Sequence, residues 1–319
     1  MKGDDPQVLA TIKVIDHIRP DVLVLTDIDF DEGRAALTAF SQTLVDPFIH
    51  IFTAIPNSGA QTGLDLDGNG FHGDARDAQG YGRFLGDGGM AVLSRFPILS
   101  DSVIDLTQVL WRDVPFANLP RQGGTLFPSA MVFDTLPVSS TSHWVVPIDV
   151  NGVELSLLTF DATPPVFDGI EDFNGLRNRD ELRLWESVLQ GGFGAIPKNP
   201  IIIGNANIDP FDGEGLQDGI VRMLRHPALQ DPQPRSKGAE LVADETHIGP
   251  AMFDTVDWAE ETPGNLRVSY VLPSVNLTVI GAGVFWPAPD DPNFGLLGGD
   301  SGAGAHHLVW VDLMIESVD

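Results

Sequence analysis

The 319-residue chain has no cysteine, which excludes disulfides, thiolate metal sites and cysteine nucleophiles. The absence leaves the compartment open, because secreted bacterial proteins often lack cysteine as well. Positive charge is scarce: 18 Lys and Arg stand against 45 Asp and Glu, for a net charge of −27, and no two basic residues are adjacent. DNA, RNA and anionic membrane surfaces would be repelled, so nucleic acid is not expected as a partner. No apolar run approaches the ~18 residues of a membrane-spanning helix, so membrane insertion is not expected either. The opening MKGDDPQV has no apolar leader core, and the expectation is that any export signal has been removed.

What is present describes a globular chain. Hydrophobic residues make up 43% against 20% charged, and the 34 Gly and 24 Pro follow no period. The acidic surface suits an extracellular or periplasmic setting and makes divalent cations natural ligands. Residues 6–19, with Pro6 in the first turn and Asp4 or Asp5 as cap, place Val8, Leu9, Ile12, Ile15 and Ile18 at helical spacing. DVLVLTDIDF (21–30) reads as a buried strand giving way to alternating aspartates, and MAVLSRFPI (90–98) as another. Segments 143–150 and 153–162 read as a hairpin turning at Asn151-Gly152. A helix is predicted over 178–189, a strand opening into a Gly/Asn/Asp turn over 200–210, a helix near 215–225, and three last strands in LRVSYVLPS, LTVIGAGVFW and HHLVWVDLMIE. No repeat and no linker divides the chain, so one α/β domain spanning 1–319 is expected. Residues 56–89 form a Gly/Asp-rich loop, long enough to suggest a function or a bound ligand.

Within that loop, Asp65, Asp67 and Asn69 alternate ahead of Gly70 in the pattern of a calcium loop, with Asp74 or Asp77 available to close the shell. Arg76 occupies the place of the usual bidentate Glu, and a solvated acidic turn is the competing reading. Asp27, Asp29 and Asp31 alternate too and could hold a second cation, or simply mark a strand end. His306 and His307 would point to opposite faces of an extended strand. Trp144, Trp185, Trp258, Trp286 and Trp310 sit in apolar contexts and are expected in the core; His143 could line a site or pack in the interior.

Six strand-end segments, DVLVLTDID, GGMAVLSRFPI, LSLLTFDATPP, PIIIGNANIDP, LRVSYVLPS and HHLVWVDL, occur in an order that resembles the endonuclease/exonuclease/phosphatase superfamily over residues 21–313. GLDLDGNG, AQGYGRF, ATPPVFDG and GVFWPAPDDP are similar to a bacterial exported branch described as phosphatases or nucleases. The resemblance implies a four-layer α/β sandwich of two mostly antiparallel sheets flanked by helices, and hydrolysis of phosphoesters by in-line attack of water with Mg²⁺ or Mn²⁺.

The same resemblance exposes departures. The family's metal-binding Glu falls on Asp27, and its His after the Thr-Phe or Thr-His strand end falls on Asp161, an anion facing an anionic substrate. Its Gly-Asp-x-Asn becomes Gly204-Asn205-Ala206-Asn207: Asn207 is kept, but the amide of Asn205 cannot take a proton from water. Its Arg-x-Asp-Tyr becomes Arg267, Val268, Ser269 and Tyr270, and its Ser-Asp-His becomes Ala305, His306 and His307. Retained Asn207, Arg267 and His307 favour a metal-dependent phosphoester hydrolase. Asp161, Asn205 and Ser269 favour a non-catalytic or strongly attenuated member that binds or assembles, with calcium as a structural ion. The family also opens with a central strand that precedes this chain's first helix. That strand is expected to be removed by processing, left out of this chain, or donated by another chain, and self-association is the related expectation.

Overall fold

The computed structural model describes residues 5–258, 262–297 and 302–316. Helix α1 (Pro6–Ile18) starts where Asp5 Oδ1 accepts the N–H groups of Gln7 and Val8 and stops where Arg19 turns left-handed at φ 56°, its N–H donating to Ile15 O. Asp5 is thus the cap; Asp4 lies outside the described residues. Strand β1 (Val22–Ile28), helix α2 (Ala35–Thr43), strand β2 (His50–Phe52) and strand β3 (Gly89–Ser94) follow, and β3 lies between β1 and β2 in an antiparallel sheet.

The second sheet is built from β4 (Ile104–Asp105), β7 (His143–Val150), β8 (Val153–Asp161), β9 (Pro200–Asn205) and β10 (Ser269–Pro273), in the order β10-β9-β8-β7-β4. A short ribbon, β5 (Arg121–Gln122) with β6 (Thr125–Leu126), interrupts the approach to β7. The β7–β8 hairpin turns at Asn151 (φ 53°) and Gly152 (φ 89°), the paired left-handed residues of a two-residue turn. Among the described strands β8 and β9 alone pair in parallel, joined by helix α3 (Phe173–Leu189). Helices α4 (Asp218–Leu224) and α5 (Lys237–Leu241) precede β10, and β11 (Thr278–Val284) pairs with β12 (Val309–Met314) as a separate ribbon.

Alternation along the strands sorts the core into layers. Leu155 and Leu157 of β8 join Trp144, Val146, Ile148, Ile201 and Val271 in a cluster that meets Met90 and Val92 of β3, Val22 and Val24 of β1, and Val309, Val311 and Leu313 of β12. The intervening Leu158 and Phe160 face the other way, against Leu182, Trp185, Val188 and Leu189 of α3 and Ile220 and Met223 of α4. On the far side of the first sheet, Leu23, Ala91 and Leu93 pack with Ile15 of α1 and Leu37 of α2. Helices, sheet, sheet, helices is the four-layer α/β arrangement that the sequence implied. Trp144, Trp185 and Trp286 are buried as expected, whereas Trp258 and Trp310, also expected in the core, are only half-buried.

Two features differ from the sequence reading or extend it. Helix α3 begins five residues before the predicted 178, because its first turns bury Arg177, Asn178, Asp180 and Glu181, which no apolar periodicity marks. Among the described residues, β1 pairs only with β3 and β12 only with β11. Each of those strands therefore keeps one edge without a strand partner.

Candidate functional site at the open end of the two sheets

Register places three of the substituted positions side by side. Asp161 at the end of β8 is paired with Asn205 at the end of β9, and Asn205 with Ser269 at the start of β10. Two-residue periodicity puts all three on the face that carries Leu157, Ile201 and Val271, at the top of the cleft between the sheets. Asn205 Nδ2 donates to Asp161 Oδ1 at 3.1 Å, while Asn205 Oδ1 accepts the N–H of Asn207 at 3.3 Å. Asn207, left-handed at φ 52°, donates its own amide to Ala162 O at 2.7 Å. Both amides are engaged within the protein.

Asp27 enters from the opposite sheet, at an irregularity between Leu25 and Ile28 where its φ is 55°. It remains reachable by water, yet partial burial and then the charges of Asp87 and Asp29 raise its pKa. Burial pushes the Asp161 carboxyl up to about 7, with Glu181 and Asp27 adding to the rise and the Asn205 hydrogen bond opposing it. The cleft thus concentrates negative potential.

His307 reaches the site from just before β12. Its N–H donates to Thr255 O at 2.8 Å, and Thr255 Oγ1 accepts the N–H groups of Val268 and Ser269, so one threonine links His307 to the strand of Ser269. The ring packs on Trp286 at 4.0 Å between centroids, tilted by 36°; its Nε2 is buried without a partner among the described residues, and desolvation pushes its pKa to about 3. His307 is therefore a neutral imidazole at neutral pH. His306 turns instead to the edge of Trp258, as alternation requires. Arg267 is buried against Asp231 in a two-pronged ion pair of 2.8 and 2.6 Å and lies over the Tyr270 ring, so Asp231 already neutralises its charge.

The frame behind the site was not visible in the sequence. Glu181, fully buried on α3, accepts Ser140 N (2.6 Å), Ser140 Oγ (2.8 Å) and Thr163 N (2.8 Å). Arg177, one turn earlier, donates to the carbonyls of Pro137, Val138, Ser139 and Gln79. Asn178 ties Thr163 O to Ala206 O, both at 2.7 Å. One helix face thus holds the segments around residues 79, 138–140, 163 and 206. The only signal in the sequence was a helix with charged residues all around, RNRDE beside Trp185. His143 belongs to this frame, fully buried between Ser139 and Glu181, its pKa pushed to about 3 by desolvation.

The loop 56–89 assembles Asp65, Asp67 and Asp77, whose carboxylate oxygens lie within 4.8 Å of one another. Asp65 accepts the N–H groups of Gly68, Asn69 and Gly70. Asp77 is completely buried and accepts those of Leu66, Gly73 and Asp74. Asp74 stands apart from the three, bonded to Asn69 Nδ2 and Arg76 N, and Asn69 directs its amide nitrogen at Asp67 and Asp74. An all-oxygen set of this kind fits a hard divalent cation. Asp27, Asp29 and Asp31 do not converge: Asp29 accepts from Gly88 N, and Asp31 accepts from Gly33 N and from Ala36 N in the first turn of α2. Asp31 thus holds the turn into α2, and Asp29 ties the end of β1 to Gly88.

A family model for the endonuclease/exonuclease/phosphatase family matches residues 1–304. The chain belongs to that family. Among solved structures it is similar to an endonuclease/exonuclease/phosphatase from Beutenbergia cavernae (16% identity, TM-score 0.56), covering 97% of this chain and 66% of that one. It is similar as well to the human Nocturnin catalytic domain with bound sulfate (14%, TM-score 0.50, 98% and 87%) and to the 3′ phosphatase NExo from Neisseria bound to a DNA hairpin (13%, TM-score 0.50, 97% and 94%). At such identities the likeness concerns the fold. No curated protein matches the chain.

Proposed function

We propose that this chain is a non-catalytic or strongly attenuated member of its family that acts by binding, in an extracellular or periplasmic setting consistent with its charge of −27. The observation that carries the reading is the row Asp161, Asn205, Ser269, closed by the Asn205–Asp161 hydrogen bond. Phosphoryl transfer needs positive stabilisation of the phosphoryl oxygens and a group that orients or deprotonates water. Here a carboxylate faces the cleft, the neighbouring amide has no basic pKa, and His307 is neutral, its Nε2 without a partner among the described residues. Loss of general-base assistance alone is worth about 10²- to 10⁴-fold in rate.

The test is hydrolysis of phosphomonoesters and phosphodiesters with Mg²⁺, Mn²⁺, Ca²⁺ or Zn²⁺, beside a variant carrying Asp161→His, Asn205→Asp and Ser269→Asp. The native chain is expected to stay at the blank and the variant to rise above it. Native turnover near an ordinary ~10 s⁻¹ would sink the reading. One observation favours the other assignment, a phosphoester hydrolase with altered metal ligands: Asp27 at the end of β1 and Asp161 at the end of β8 supply carboxylates from the two opposite sheets.

We further propose that Asp65, Asp67 and Asp77 hold a structural Ca²⁺. Adding Ca²⁺ should raise the melting temperature and EDTA should reverse the rise. The same melt with and without calcium would remove the site.

A further inference from the structure

Between the loop that follows β9 and the segment that leads into β10 lies a cavity of about 20 Å³, whose walls include Asp209, Phe211, Pro250, Phe253, Asp254 and Arg267. A single water needs roughly 10–15 Å³, so a small head group has room there. The walls are fixed by backbone contacts. Asp209 accepts the N–H groups of Phe211 (2.7 Å), Asp212 (3.0 Å) and Arg267 (2.8 Å), and Asp212 accepts those of Ile248 (2.8 Å) and Gly249 (2.7 Å). Asp244 accepts Asn265 N at 2.9 Å, and both terminal nitrogens of Arg267 are committed to Asp231. Asp254 differs from all of these. It keeps only 7% of its surface, and its carboxylate makes no hydrogen bond or ion pair among the described residues. A buried carboxylate in that position lacks the partner that would offset its desolvation.

The surroundings define the missing partner. Burial and then the charges of Asp209, Asp212 and Asp244 all act against ionisation of Asp254, while the nearby cations are engaged, Arg267 with Asp231 and Arg235 over the Phe253 ring at 5.6 Å. A ligand that brings positive charge and its own hydrogen-bond donors fits such a site. A hard divalent ion needs six or more oxygens, and the described carboxylates that converge closely enough to begin such a shell are Asp65, Asp67 and Asp77, in another loop. Around Asp254 the remaining wall is apolar: Pro210, Pro250 and the half-exposed Phe211 form a collar suited to methylene groups beside an organic cation.

We propose that this cavity binds an aliphatic primary ammonium group, with Asp254 as its counter-ion and Phe211, Pro210 and Pro250 around the adjoining methylenes. The position links it to the candidate site. Asp254 immediately precedes Thr255, which holds His307 through its carbonyl and the start of β10 through its hydroxyl, and Asp209 lies two residues beyond Asn207. The cavity keeps this role whether or not phosphoester hydrolysis survives.

The test titrates n-butylammonium into the 319-residue chain at about pH 8.5, where the amine is charged, and follows backbone amide shifts by NMR. Saturable shifts at Gly249, Phe253 and Asp254 with a millimolar Kd are expected. Asp254→Asn keeps the size of the side chain and should weaken binding at least about tenfold, and n-butanol, which has the shape without the charge, should leave those amides unmoved. Nα-acetyl-lysine N-methylamide separates the sources of the amine: binding as tight as that of butylammonium supports a lysine side chain of another polypeptide as occupant, and binding of butylammonium alone supports a free amine. No saturable shift by about 20 mM, or equal binding by Asp254→Asn or of butanol, would overturn the proposal. So would displacement of butylammonium by micromolar Ca²⁺, since the cavity would then be a metal site.

Discussion

Replacing Glu181 by alanine removes three hydrogen bonds to one buried carboxylate and strands the N–H groups of Ser140 and Thr163 beside an uncompensated Arg177. Each orphaned buried donor costs about 1–3 kcal/mol, and leaving a buried charge without its partner costs a few more. The sum is about 5–11 kcal/mol, comparable to the ~5–15 kcal/mol that holds an ordinary domain together. Glu181→Gln keeps the volume and one acceptor oxygen but turns an NH₂ group toward the donors, so its cost is expected at about half. Burial pushes the Glu181 carboxyl up to about 7, so below that pH the native side chain is itself neutral and the gap between native and Gln should narrow. Urea unfolding followed by tryptophan fluorescence at pH 6 and pH 8 measures both effects. A loss below about 1 kcal/mol for the alanine variant would refute the assignment of α3 as the frame of the site.

Stability should also fall from pH 6.5 to 8.5. Asp161 and Glu181 near 7 and Asp254 near 8 hold their protons more tightly folded than unfolded, so the stability they confer is present below the ordinary carboxylate range and is lost as pH rises through those values. His143 and His307, pushed to about 3, act in the opposite sense only below the ordinary histidine range, where stability is lost as pH falls. Thermal melts across that window should show the alkaline decline, and Asp254→Asn should flatten it; a flat native profile would contradict the burial of these groups. Gly80→Ala would place a methyl group 1.7 Å from Ser140 O, so the loop must move off the segment that leads into β7. A cost of at least about 2 kcal/mol is expected in the same urea assay, and a neutral result would mean that the loop is not seated there.

The sequence was informative where local chemistry and periodicity agree. Asp5 and Pro6 start α1, Asn151-Gly152 turns the hairpin, and the apolar runs before Asp161 and Asn205 fix strands whose ends place those residues in one row. It was uninformative where polar residues are interior. Arg177, Asn178 and Glu181 look like a solvated helix face until the carbonyls and N–H groups of four distant segments are found around them. Asp74 and Asp77 could not be ranked by spacing, since the choice depends on a fold-back that bridges Gln61 to Ala78 and buries Asp77 alone. Asp27, Asp29 and Asp31 would share a face only if the strand continued, and it ends at Ile28. Short elements such as α2 and β2 left no clear period and were not predicted.

The reach of Arg177 has a kinetic consequence. Its guanidinium meets Gln79 O across 98 positions of chain, and Asn57 meets Ser139 O across 82. Contacts of such long sequence separation close only after the entropy of large loops has been overcome, and they slow folding. The residue 56–89 segment should therefore dock late, after the β7–β8 hairpin and α3 have formed. A protease pulse during refolding should cut within that segment at times when the second sheet already resists cleavage.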